Sequence, residues 1–260
     1  MRLALVAIAV LFACAKGSTS ATTDGNGSGK GDGTGSSADA AIDSRGIDAS
    51  NGCAVQPCSI DPQCGCTDPN PACDLGSGSA NACRPATSTG VEGHTCASAT
   101  SCAAGYTCVG GGSDFECTKY CNGNGDCMAP RGQCVIQLTD GTNPIPNAVV
   151  CSSNCDPSTA TNPLCPSGWT CDLFTATYNS TNYNIADCRS AGTAGNGSAC
   201  TPNSTTASQI CIAGYSCVNT GSNVCKKICN KTANTGCTSG TCTSFSTALT
   251  IGGTEYGVCL

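Results

Sequence analysis

CAAGYTC at residues 102–108, CPSGWTC at 165–171 and CIAGYSC at 211–217 share one pattern: Cys-x-x-Gly, then an aromatic residue, a hydroxyl residue and Cys. Self-similarity of this kind marks a chain assembled from repeated units. Outward from these strings, Cys96, Cys102, Cys108, Cys117, Cys121, Cys127, Cys134 and Cys151 form a series of eight. Their intervals are 5, 5, 8, 3, 5, 6 and 16 residues. Cys200, Cys211, Cys217, Cys225, Cys229, Cys237, Cys242 and Cys259 form a second series, with intervals of 10, 5, 7, 3, 7, 4 and 16. Between them Cys151, Cys155, Cys165, Cys171 and Cys188, at intervals of 3, 9, 5 and 16, match the last five positions of each series.

The 16-residue interval reads as a β-hairpin in all three places. β-Forming residues flank Thr139-Asp140-Gly141 in the first, Asn179-Ser180-Thr181 in the second and Gly252-Gly253 in the third. An isolated hairpin is marginal in water. A cysteine at each base therefore clamps it, either across the strands or into a neighbouring loop, and spacing alone leaves both open. Ahead of the repeats Cys53, Cys58, Cys64, Cys66, Cys73 and Cys83 form a unit of different spacing. Cysteine numbers are even in 53–83, in 96–188 and in 200–259, as modules that close internally require.

Composition explains why covalent closure is needed. Leu, Ile, Val and Phe make only 35 of 260 residues, seven of them in the first twelve positions. Such a chain cannot bury enough apolar surface to offset its ordering entropy. Its 27 cysteines, about one residue in ten, mark a disulfide scaffold. Cysteine at this density belongs in an oxidising compartment. The expected fold class is small disulfide-rich: tandem cysteine-rich modules with short β-hairpins and almost no helix after an N-terminal signal.

That signal is Met1-Arg2, an apolar run from Leu3 to Phe12, and small residues around Cys14. The run is too short to span a membrane and has the layout of an export signal. Leu11-Phe12-Ala13-Cys14 resembles a lipobox, in which the Cys14 thiol is lipidated and becomes the new N-terminus. Ala13-Cys14-Ala15 also fits ordinary cleavage before Lys16. Residues 16–41 are a low-complexity tract that suits a flexible tether behind an anchor, and Ala15 in place of Asp favours the outer membrane in lipoproteins of this kind. The expected organisation is a signal peptide at 1–13, a lipid-anchored tether at 14–52 and a six-cysteine module at 53–92. An eight-cysteine repeat at 93–154, a partial repeat at 155–192 and a second eight-cysteine repeat at 193–260 complete it.

Signal, tether and repeated Cys-x-x-Gly-aromatic-x-Cys text together resemble the cysteine-rich exported lipoproteins of the myxobacterial type. Cys117-x3-Cys121, followed by Asp126-Cys127 and Gly132-Gln133-Cys134, is similar to Dickkopf or EGF-like modules, which implies extracellular protein recognition. Tyr106, Trp169 and Tyr215 hold equivalent places in the repeats. Each ring either covers a disulfide or offers a platform to a sugar or a protein partner.

Other chemistry has little support. With 11 basic and 17 acidic residues there is no basic stripe for nucleic acid. No Cys-x2-Cys pair points to zinc. Asp24, Asn26, Ser28 and Gly29 open like an EF-hand loop, but Gly35 stands where the closing acid belongs. Asn122, Asn124 and Asp126 read as a solvated turn. The sole histidine, His94, has no nucleophile motif nearby. The expectation is a non-enzyme without metal or cofactor: a surface binding or adhesion protein for a protein or glycan, touching membrane only through its lipid. The alternatives are a protective envelope protein without a ligand, and a protease inhibitor using Thr139–Asn147, where Pro144-Ile145-Pro146 would resist cleavage. Mass spectrometry of unreduced protein from its own host is expected to find acylated Cys14 and a mass deficit for thirteen disulfides. A free Lys16 N-terminus would show ordinary cleavage instead.

Overall fold

The computed structural model describes residues 53, 58–76, 79–87, 89–111, 114–141 and 143–260. Cys14, the signal and the tether lie outside them. The described chain is a string of antiparallel hairpins. After the two-residue strands β1 (Ser59–Ile60) and β2 (Gln63–Cys64) come β3 (Ala72–Leu75) with β4 (Asn81–Arg84), and β5 (Tyr106–Gly111) with β6 (Asp114–Lys119). β7 (Cys134–Asp140) pairs with β8 (Asn143–Cys151), and β9 (Trp169–Tyr178) with β10 (Thr181–Ser190). β11 (Tyr215–Asn219), β12 (Asn223–Asn230), β13 (Cys242–Ile251) and β14 (Thr254–Cys259) form one sheet in the order β11-β12-β14-β13. Helical geometry among the described residues is confined to single 3-10 turns, such as Ala99–Ser101, Asn124–Asp126 and Ala207–Gln209.

Each long hairpin carries two cysteines directly opposite one another: Cys73 and Cys83, Cys108 and Cys117, Cys134 and Cys151, Cys171 and Cys188, Cys217 and Cys225, Cys242 and Cys259. In no case are the two bonded to each other. Each reaches back to a cysteine in the segment before the hairpin, so a unit of four cysteines pairs first with third and second with fourth. Cys96–Cys108 with Cys102–Cys117 is one such unit, and Cys121–Cys134 with Cys127–Cys151 is the next. Cys155–Cys171 with Cys165–Cys188 follows, then Cys200–Cys217 with Cys211–Cys225, and Cys229–Cys242 with Cys237–Cys259.

The N-terminal module, unlike in spacing, obeys the same rule through Cys58–Cys73 and Cys66–Cys83, with Cys53–Cys64 added. The described residues therefore hold six copies of one small unit. Each eight-cysteine series is two of them, and Cys151 belongs to the unit before the partial copy. In five of the units the first, second and fourth sulfurs lie within 4.8 Å of one another, so two bridges stack into an apolar centre.

The repeated text has a direct geometric meaning. In Cys-x-x-Gly-aromatic, the glycines Gly105, Gly168 and Gly214 have φ near +80° (81°, 81° and 78°). The amides of Tyr106, Trp169 and Tyr215 bond back to the carbonyls of Ala103, Pro166 and Ile212. This is a four-residue turn whose third place needs left-handed backbone, which glycine takes without steric cost. The carbonyl of that glycine then accepts from the amide three residues past the fourth cysteine: Tyr120, Ala191 and Ile228. At the hairpin tips Asn179-Ser180 and Gly252-Gly253 both have positive φ throughout, the geometry that matches strand twist in two-residue loops.

Small cores join the units. Ile60 and the buried cysteines of the first module pack with Tyr120, Leu138, Ile145 and Val150, while Ile185 and Ala176 pack with Val135. Ile251, Tyr256 and Val258 close over the bridges of the fourth unit. Ile145, at the centre of Pro144-Ile145-Pro146, is thus a buried core residue on β8 rather than the tip of an exposed loop.

Polar docking reinforces this packing. Arg84 pairs with Asp74 at 2.5 Å and donates to the carbonyls of Cys102 and Tyr106 in the second unit. The Tyr120 hydroxyl donates to Asp74 at 2.6 Å. Asp172 and Arg189 repeat the device, with the Ser216 hydroxyl donating to Asp172 and Arg189 donating to the Ser204 carbonyl.

A chain cross-linked in this way is an extracellular, disulfide-rich protein. No helix among the described residues is long and apolar enough to cross a membrane. Replacing Arg84 with Met leaves Asp74 buried without its counter-charge, at an expected cost of about 3–5 kcal/mol. Tyr120→Phe is expected to cost about 1.5–3 kcal/mol, since it removes one hydrogen bond to a charged group. Denaturant unfolding of the oxidised variants checks both.

Candidate functional site

A cleft of about 660 Å³ opens where the second, third and fourth units meet. Val109, Gly110, Asp114 and Glu116 of β5 and β6 form one side, and Val135 to Gln137 of β7 line another. Trp169, Phe174 and Ala176 of β9 face them, with Ile185, Asp187 and Arg189 of β10. The rim is completed by Asn203 to Thr205 from the fifth unit. Apolar walls with a few converging polar groups are the usual make-up of a ligand site.

Its charges are unevenly answered. Arg189 is occupied by Asp172, at 3.5 Å, and by the Ser204 carbonyl. Asp114 accepts from the Ser190 amide and hydroxyl, at 3.0 and 2.6 Å. Asp187 accepts the Ser153 amide and hydroxyl on one oxygen, and the Cys188 amide also donates to it. Glu116 is 7% exposed, and its Oε2 has no hydrogen-bond partner. Burial, and then the charges of Asp187, Glu92 and Asp114, hold the Glu116 carboxyl well above its ordinary value of 4.5. Burial likewise raises Asp187, and it raises Glu92, which accepts the Asn154 amide.

The three equivalent aromatics fare differently. All are half-buried at the first position of a strand. Trp169 lines the cleft. The backbone carbonyl of Tyr106 receives Arg84, and burial raises its phenol. The Tyr215 ring lies under the Lys227 ammonium, 5.6 Å from its centroid. The repeat therefore places the rings alike within each unit, and the packing of units brings only Trp169 to the cleft.

Asn122, Asn124 and Asp126 are absorbed in a turn. Asp126 accepts the amides of Asn122 and Gly123, and Asn124 accepts that of Cys134. His94 is exposed, and its carbonyl receives the Cys117 amide. The stacked sulfurs have the closeness of a metal site, but each is bonded to another sulfur, and a metal requires the thiolate.

Glu116 and Asp187 escape a reading based on cysteine text and aromatics, yet a signal exists. Each immediately precedes the fourth cysteine of its unit. The other four units have Ala82, Val150, Val224 and Val258 there.

An acid whose carboxyl is raised on folding stabilises below its unfolded value, and that contribution is lost as pH rises through the folded value. Stability is therefore expected to decline as pH climbs from about 4.5. Glu116→Gln is expected to raise the melting temperature at pH 7 by a few degrees and to flatten the decline, as a pH series of thermal melts would show. Compared with models of known families, with curated proteins and with solved structures, the chain matches none.

Proposed function

We propose that the chain is a cell-surface binding protein, lipid-anchored through Cys14 in the outer membrane, with the cleft between the second, third and fourth units as its ligand seat. It is not an enzyme, and it belongs with the exported cysteine-rich lipoproteins of the myxobacterial type. The observation that carries this reading is the cleft itself, concave and apolar-walled, with one buried carboxyl oxygen, Glu116 Oε2, that has no partner among the described residues. Stacked bridges on every side hold its walls in place without ligand, which lowers the ordering cost of binding.

The second reading, a protective envelope protein without a ligand, is favoured by the closed bridging of every unit, which leaves little chain for a protease to open. Protease inhibition has less support, because Ile145 is buried. Trp169 is the chain's single tryptophan and lines the cleft, so its fluorescence reports on the site. Ligands drawn from glycan and peptide arrays are expected to shield Trp169 from acrylamide quenching. Array binding that leaves quenching unchanged would move the site elsewhere, and a blank array would favour the protective reading.

A further inference from the structure

Glu116 and Asp187 stand at one structural position in two units, opposite Val109 and Asp172 on their neighbouring strands. At the same position Val150 and Val258 are buried apolar residues. A carboxylate where the unit otherwise packs an apolar side chain costs stability unless something pairs with it. Here both acids face the cleft. Among the described residues no lysine or arginine forms an ion pair with either, and Glu116 Oε2 is buried without a partner. Among the described residues the one cation on the cleft wall, Arg189, is spent on Asp172 and Ser204. Trp169 and Phe174 add aromatic rings to the lining, and the negative quadrupole of a ring face attracts positive charge.

We infer that the cleft binds an organic cation, a protonated amine or a guanidinium on an alkyl stem, with Glu116 as its counter-ion and Asp187 beside it. The inference rests on the cleft being the ligand seat. Val109 and Ile136, both partly exposed, suit an alkyl stem, which a hydrated metal ion lacks. Free diamines and the lysine or arginine side chains of peptides share this chemistry. Burial, and then Asp187 on β10, Glu92 ahead of β5 and Asp114 on β6, raise the Glu116 carboxyl well above its ordinary value, so without a partner cation it keeps its proton to higher pH than a free carboxyl. An arriving cation ionises the carboxyl, and the proton leaves to solvent. Affinity therefore weakens as pH falls.

The intact oxidised protein is titrated with agmatine and with an acetylated arginine tripeptide, following Trp169 fluorescence. An N-acetylglucosamine trimer and calcium chloride are run alongside. Saturable shifts with either cationic probe are expected, agmatine alone indicating a free amine and the tripeptide alone a peptide ligand. Glu116→Gln is expected to weaken binding about ten-fold or more while keeping all bridges. Calorimetry in two buffers of different ionisation enthalpy is expected to show proton release. Equal affinity in Glu116→Gln overturns the proposal, as does a response to calcium alone. A response to the sugar, or to an uncharged array ligand, overturns it and leaves the cleft as the ligand seat. If nothing shields Trp169, both readings fall.

Discussion

Everything in this molecule depends on two facing cysteines in each hairpin that bond backward rather than to each other. Bonded across the strands, they would tie a hairpin that already holds itself in register and leave the preceding segment loose. Bonded to that segment, they draw it across one face of the hairpin and stack two bridges at its centre. That stack replaces the hydrophobic core a chain with so few large apolar residues cannot build. It shortens the free chain in the unfolded state as well, the usual source of disulfide stabilisation.

Units closed in this way still need neighbours. Alone, each buries little beyond its sulfurs, so the remaining apolar side chains are placed where units meet: Tyr120 against the first module, Ile185 against β7, Tyr256 against the fourth unit. Two Asp–Arg pairs do the same work in polar terms. Asp74 with Arg84, and Asp172 with Arg189, leave one hairpin and take hydroxyl or carbonyl partners from a later unit. A buried pair of this type contributes little net stability but penalises any other docking, because a misplaced charge would be buried alone. The cleft is a product of this docking, since three units supply its walls and no unit contains it.

Disulfide-held walls also permit what a marginal core could not. Two positions that pack valine or alanine elsewhere carry Glu116 and Asp187 here, and the scaffold tolerates the cost. A buried carboxyl with an unpartnered oxygen, beside a second acid on the same concavity, is the strongest mark of use in the structure, as tuned carboxyls so often cluster at working sites.

The sequence by itself determined the unit. Cysteine intervals, the Cys-x-x-Gly-aromatic turn and the hairpin tips are local features whose geometry follows from a few adjacent residues, such as the positive φ that only glycine takes freely at 105, 168 and 214. Composition settled the disulfide-rich class for the same reason: no other interaction was available in quantity. The pairing was not legible, because facing cysteines lie within reach both of each other and of the loop. Nor was the kinship of the N-terminal module, whose spacing differs while its bonding does not. Only the tertiary structure decided that Trp169, and not Tyr106 or Tyr215, lines one cleft with Glu116 and Asp187. Equivalent residues are alike within a unit, and what distinguishes them is which neighbour packs against each, a contact between segments that spacing along the chain does not encode.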